Sequence, residues 1–268
     1  MPSPNVADFA SRFELLRAWL KHCDTTHSCN KSDADFQGPA PTRLIYVGHT
    51  DEEVLFLYHP EQGEGVKYTA LSHRWGEQPP TEADPKFCTT ADNVNAPKDG
   101  FKISELPRTF QDAVRVTREL GIKYLWIDSL CIMQWNAEDW KREAARMEDV
   151  FASAYCTIAA TSAADSNAGF LAEHRSTGYV RIHDTAGNQV CVCIHMDNFE
   201  EDVERAELNK RAWVMQERVL AKRTIHFSAN QTYWECGEGV YCENLTMMKR
   251  QEVYITWKDT RLTGCSPP

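Results

Sequence analysis

The stretch from Tyr124 to Ser162, YLWIDSLCIMQWNAEDWKREAARMEDVFASAYCTIAATS, constrains the fold of this chain more than any other. Residues 124–127 form a continuous apolar and aromatic run, the pattern of a parallel strand covered on both faces. Asp128 follows at once, so a carboxylate stands at the carboxyl end of that strand, the edge of an open α/β sheet where ligands bind. After a polar turn, Trp140, Ala144, Met147, Val150, Phe151 and Ala154 recur at helical spacing and predict one amphipathic helix over 140–154. CTIAAT then reads as a second buried strand. Strand, helix and strand in this order make a parallel crossover unit.

The same rhythm extends on both sides. YTALSHRW, from Tyr68, reads as a strand, and Thr109-x-x-Asp112 as a capping box that opens a helix. That helix carries Phe110, Ala113, Val114, Thr117 and Leu120 on one face and closes at Gly121. Between them, residues 77–100 hold four prolines and many Asp and Asn, which predicts a surface loop. Upstream, Phe9, Phe13, Leu16 and Leu20 mark a helix, while RLIYVG and VLFLYH read as a short hairpin packed beside the main domain. Downstream, GYVRIHD and QVCVCIHM form a second hairpin around AGN, followed by the acidic DNFEEDVERAE. RAWVMQERVLA is then a short helix and RTIHF a strand. The expected fold is α/β, a doubly wound and mostly parallel sheet. Residues 1–66 form an N-terminal helix and hairpin extension, 67–256 the domain with an insertion at about 163–208, and 257–268 a tail.

Charge and composition exclude several functions. A net charge of −10 opposes a nucleic-acid surface, since neutralising phosphates takes clustered Lys and Arg. No apolar run approaches the roughly 18 residues of a membrane span, and MPSPNVADFASR lacks the plan of a signal peptide. A cytoplasmic protein is expected. The ten cysteines are too scattered for a disulfide framework. Cys131, Cys156, Cys191 and Cys193 sit in apolar segments and read as buried reduced thiols. His22, Cys23, His27 and Cys29 invite a zinc reading, but their spacing is not a standard knuckle and no second cysteine pair lies nearby, so no metal is assigned. Cys236 and Cys242 flank a glycine-rich turn and are either metal-linked or turn residues. There is no G-x-S-x-G, P-loop, H-E-x-x-H or post-strand G-x-G-x-x-G.

Four blocks carry a family resemblance: Tyr68-x-Ala70-Leu71-Ser72-x-x-Trp75-Gly76, Leu106-Pro107-x-Thr109, Tyr124–Gln134, and Arg211-x-Trp213-x-x-Gln216-Glu217. In this order they resemble the HET domain, the death-inducing module of fungal heterokaryon-incompatibility proteins, over about 66–240. Trp19, Cys23, His27 and Cys29 also look like segments that often precede that domain. Met133 departs from the pattern, standing where the family usually has an acidic residue. HET domains are remotely similar to TIR domains, which implies a flavodoxin-like core. On that similarity Leu71–Gly76 is equivalent to the turn after the first strand, Leu125–Asp128 to the second strand, and Ala160–Ser162 to the end of the third. Trp213 and Glu217 match the helix that carries the glutamate of NAD-cleaving TIR enzymes, with Val214 in place of its Cys.

The resemblance implies hydrolysis of NAD at the nicotinamide–ribose bond, with NAD as substrate and no cofactor required. Nicotinamide is already a cationic leaving group, so the reaction asks for a carboxylate near the ribose and a wall that excludes water. Glu217 is the catalytic candidate; its alternative is an exposed helical glutamate paired with Arg218 or Lys222. Arg74 suits a pyrophosphate or pairs with Glu77 at the surface. Ser72 and His73 orient a ligand or end the strand, and Trp75 stacks on a ring or joins the core. Asp128, Cys131, Gln134 and Trp213 complete the expected ligand-binding set, and the alternative for Asp128 is a structural hydrogen-bonding role. A nucleophilic Cys131 needs a base beside it, which the sequence does not place. The implied partners are NAD, further copies of the chain on activation, and an upstream receptor or sensor, with no nucleic acid and no membrane. The competing reading is a non-enzymatic, self-assembling signalling module that triggers death through partners.

Overall fold

The computed structural model describes residues 9–27, 29, 40–61, 63–94, 100–171, 179–183, 189–193, 198–243 and 247–248. The elements, in chain order, are α1 (Phe9–Thr26), β1 (Leu44–Tyr46), β2 (Val54–Tyr58), β3 (Tyr68–Ser72), β4 (Phe101–Lys102), α2 (Arg108–Glu119), β5 (Tyr124–Trp126), α3 (Asp128–Cys131), α4 (Ala137–Ala144), α5 (Met147–Ser153), β6 (Cys156–Ala159), β7 (Tyr179–His183), β8 (Gln189–Cys193), α6 (Ala212–Leu220), β9 (Arg223–Phe227), β10 (Thr232–Cys236), β11 (Gly239–Cys242) and β12 (Met247–Met248). A π-helical turn, Glu200–Glu204, and a 3-10 turn, Glu207–Lys210, precede α6.

Ten strands form one sheet in the order β12-β11-β10-β9-β6-β3-β5-β1-β2-β4, mixed rather than mostly parallel as expected, because antiparallel strands pair onto both edges of its parallel centre. Its centre, β5-β3-β6-β9, is parallel throughout. Both β3 and β6 are buried at every position, as two-sided coverage requires. The parallel strands have a spatial order of second, first, third, fourth, so β3 lies between its two successors and the sheet is wound outward from it. Antiparallel strands extend it on both sides, with β1 on β5 and β10 on β9. The upstream hairpin therefore corrects its expected position: β1 and β2 do not pack beside the sheet but continue it. Leu44 and Ile45 of β1 are fully buried, and Ile45 pairs with Leu125 at the edge of β5, so burial favours backbone pairing over a separate layer. The hairpin at 163–208 is present as the separate pair β7–β8, from Tyr179↔Cys193 to His183↔Gln189. Its AGN turn lies outside the described residues, as does the tail at 257–268.

The helices follow their apolar stripes with two corrections. On α1, Phe13, Leu16, Leu20 and Cys23 face the core, and Trp19 meets Trp234 of β10 with ring centroids 6.5 Å apart. Helix α2 buries Phe110, Ala113, Val114 and Thr117, and the Thr117 hydroxyl lies 2.7 Å from that of Thr69 on β3. It ends as expected at Gly121, whose φ of 72° supplies the left-handed residue that lets Ile122 N–H reach back to Thr117 O. Its start differs. The N-cap is Pro107, and Thr109 and Asp112 are not a capping box. The Thr109 hydroxyl donates instead to Asp165 O at 2.9 Å. Asp112 accepts the backbone N–H groups of Phe170 and Leu171 at 2.7 and 3.0 Å. These two side chains hold the segment that follows β6 against α2. Substituting Asp112→Ala strands two buried donors and is expected to cost about 1–3 kcal/mol in urea denaturation. Unchanged stability would show that those donors have other acceptors.

The single helix expected over 140–154 is two, broken at Ala145 and Arg146. The reason is a buried charge cluster. Asp139 and Glu143 turn inward with exposures of 1% and 4%, and Trp140 is pushed out to 43%. Arg43, 4% exposed, pairs with both carboxylates and donates Nε–H to Cys131 O at 2.6 Å. The polar face of α4 is thus its inner face, a pattern that apolar periodicity alone reverses. Helix α5 keeps Val150 and Phe151 inward, and Tyr68 of β3 donates its hydroxyl to Val150 O at 2.6 Å. Helices α5 and α6 pack together. Among the described residues, no helix is long and apolar enough to cross a membrane.

Candidate functional site

The carboxyl ends of β3 and β5 bring the expected residues together. Ser72, the last residue of β3, donates its hydroxyl to Glu217 Oε2 at 2.5 Å across 145 residues of sequence. Helix α6 makes this possible. Val214 is buried and Glu217 half-buried, one turn apart, so the inner face of α6 presents the carboxylate to the strand end. The alternative pairing with Arg218 does not hold, because Arg218 is committed to Glu235 through two hydrogen bonds of 2.8 and 3.0 Å. Burial is the main influence on Glu217 and raises its pKa to about 7; the Ser72 hydrogen bond and Arg211 oppose the rise, and nearby Asp128 adds to it.

Asp128 stands at the first turn of α3. Its Oδ1 accepts the Ser129 backbone N–H at 2.7 Å, and its Oδ2 accepts the Trp75 indole N–H at 2.8 Å. The Trp75 ring is therefore fixed by its polar edge. His73 is buried against Phe110, edge to face at 5.0 Å. Its Nδ1 is 3.9 Å from Asp128 Oδ1, too far for a hydrogen bond, and its Nε2 has no partner. Burial lowers its pKa, with Asp128 opposing and Arg211 assisting, so the ring is neutral at neutral pH. Arg74 is half-buried and, among the described residues, makes no hydrogen bond or ion pair.

Other expected site residues are placed elsewhere. Cys131 is 1% exposed, burial pushes its thiol up to about 12, and its carbonyl accepts from Arg43. It offers neither access nor thiolate, which removes the basis of a thiol-dependent hydrolase. The Gln134 amide is spent on the turn itself, donating to Asp128 O and Ile132 O. Trp213 is 57% exposed on the outer side of α6 rather than walling the site. Position in the helix explains this: Val214 and Glu217 take the inner face, and Trp213 precedes it. Arg211 was overlooked as a site residue. It donates to His73 O at 3.2 Å and acts electrostatically on both His73 and Glu217. Its place directly before α6, in the same block as Glu217, was the available signal.

The site is thus a pair of carboxylates, Glu217 and Asp128, with a hydroxyl, an indole and a guanidinium, at the edge where the parallel strands end. Each member comes from one of the blocks singled out by sequence. No curated protein and no solved structure matches this chain. A family model described as heterokaryon incompatibility protein (HET) matches residues 68–217, from the first residue of β3 to Glu217 itself. With more than half of its length in that match, the chain belongs to the heterokaryon incompatibility (HET) family.

Proposed function

We propose that this chain is a cell-death effector that hydrolyses NAD at the nicotinamide–ribose bond. The observation that carries the reading is the Ser72–Glu217 contact at the carboxyl edge of the parallel strands. A half-buried carboxylate held by a hydroxyl there suits a sugar whose ring carbon becomes cationic. The strand order β5-β3-β6-β9 supports a flavodoxin-like, TIR-like reading of the core, in which ligands are taken at the carboxyl ends of the strands, the edge where Ser72 ends β3 and Asp128 follows β5. In the proposed reaction the bond from ribose C1′ to the nicotinamide nitrogen breaks, and its electron pair neutralises the pyridinium. Water adds to C1′ and releases one proton, giving nicotinamide and ADP-ribose.

Glu217 stabilises the charge developing at C1′ and binds the ribose hydroxyls, while Ser72 fixes its carboxylate. Asp128, held by Trp75 and Ser129, adds negative potential. Arg74 has a guanidinium free for the pyrophosphate. The test is nicotinamide release from NAD by the purified chain at high protein concentration. Because the working form of Glu217 is ionised and its pKa is about 7, release should rise with pH through that value. Ser72→Ala removes a hydrogen bond that favours the ionised form, so its rise should come at higher pH. A flat profile between pH 5 and 9, the same in both proteins, argues against Glu217 as the titrating group.

The non-enzymatic assembly reading also has support. Trp213, Met215 and Val219 expose large apolar side chains on α6 and suit contact between copies. A folded, self-associated chain that releases no nicotinamide favours this second reading.

A further inference from the structure

The opposite edge of the parallel strands carries a second constellation. There the end of α1 meets the turn between β10 and β11, where Cys236 pairs with Arg223 at the start of β9. Cys23 and His27 lie one helical turn apart and face the same way. Cys29 follows two residues later, and Cys236 arrives from the far end of the fold, 209 residues from His27. One ligand atom from each of Cys23, His27, Cys29 and Cys236 lies within 4.8 Å of every other. Cys236 Sγ is 3.4 Å from His27 Nδ1, and all three cysteines are free. We propose that these four residues hold a structural zinc ion.

The donor set is the first argument. Three sulfurs and one imidazole nitrogen converging on a point form the Cys3His set of closed tetrahedral zinc sites. Bonds of about 2.3 Å to sulfur and about 2.0 Å to nitrogen put tetrahedral ligand atoms roughly 3.5–3.8 Å apart. The observed spread needs a contraction of about 1 Å or less to reach that. Thiols packing merely as small hydrophobes turn toward apolar side chains, whereas these turn toward one another.

The surroundings supply a second, independent argument. Arg223 is fully buried beside the cluster, and two of its nitrogens, Nε and Nη1, have no hydrogen-bond partner. Its third, Nη2, pairs with Asp24 at 2.6 Å. Its guanidinium carbon also lies 4.8 Å from the centre of the Tyr155 ring, yet Nε and Nη1 keep no acceptor, a cost that neutral thiols beside it do not offset. Beside zinc with three thiolates, whose net charge is −1, it becomes the counter-ion. Gly237 allows the turn to come close, since a Cβ there would lie 3.3 Å from Cys29 Sγ. His22 is not a ligand; its ring packs edge-on against His27 at 4.9 Å.

Zinc binding displaces three thiol protons to solvent and fills all four positions with protein ligands, leaving none for a substrate. Its role is to staple. It joins α1, which precedes the matched family region, to the β10–β11 turn, which follows it.

Elemental analysis of the full chain, purified without chelator, should find about one zinc per molecule. Cys236→Ser should lose it, and Cys88→Ala, a buried cysteine outside the cluster, should keep it. Wild-type protein stripped of metal and given cobalt under reducing conditions should show tetrahedral bands with thiolate charge transfer, a readout independent of how the variant folds. Stripping should also lower Tm by several degrees, and zinc should restore it. A reduced, folded wild type with neither zinc nor a cobalt spectrum overturns the proposal. So does a Cys88→Ala variant that loses zinc while Cys236→Ser keeps it.

Discussion

Glu217→Gln should release nicotinamide from NAD at least about 100-fold more slowly than the wild type, the scale of losing one aimed electrostatic contact in a reacting site. Glutamine keeps the shape of the side chain and an oxygen to accept the Ser72 hydroxyl, so the α6–β3 junction survives. What it removes is the negative charge. The same change has an opposite signature in stability. The folded-state pKa of Glu217 is raised to about 7, so its ionisation works against the fold. The folded state holds that proton more tightly than the unfolded chain, and wild-type stability declines as pH climbs from the ordinary carboxylate range through about 7. Glu217→Gln escapes that decline. Its advantage over the wild type in denaturant should be small at pH 5 and large at pH 8. Lost turnover with retained or improved stability marks a catalytic carboxylate. Undiminished turnover in a folded Glu217→Gln protein would remove Glu217 from the mechanism.

Arg43→Met should be the most destabilising single change near the site. It leaves Asp139 and Glu143 buried with only the half-exposed Arg142 to answer them. Breaking one side of such a buried cluster costs about 3–5 kcal/mol, or roughly 10 °C in Tm for a chain of this size. Arg17→Met, which removes an exposed pair with Glu119, is the control and should cost less than about 1 kcal/mol. The change also frees the Cys131 carbonyl, and with it the end of the α3 turn that begins at Asp128. Turnover per folded molecule should therefore fall as well. If Arg43→Met unfolds within 1 kcal/mol of the control, the cluster is worth no more than a surface pair.

Much of the core was legible because its periodicities are strong. The apolar runs at Tyr68, Tyr124 and Cys156 could only be two-sided strands, and each was. The helical stripes of α1 and α2 were equally clear. Errors arose where a polar residue faces inward. Asp112, Asp139 and Glu143 look like surface residues in a linear reading, and each is buried against partners far away in sequence. Trp140 departs for the complementary reason: it reads as a core residue, but carboxylates take the inner face of its helix, while Trp213, expected at the ligand, is exposed because Val214 and Glu217 take the inner face of α6. The upstream hairpin was found, but its place in the sheet depends on which edge of β5 was open.

The sequence by itself determined the strand-and-helix rhythm of the parallel core, the family, and the block that holds each residue of the candidate site, because these depend on local pattern and spacing. Tertiary structure alone decided which distant groups meet. It put Glu217 on the Ser72 hydroxyl and Arg43 between two acids. It also gave the Cys23–His27–Cys29 group its fourth donor in Cys236. Local free energies cannot encode such encounters. They arise when burying strands and helices carries polar groups out of water together, and each must then find its partner inside the fold.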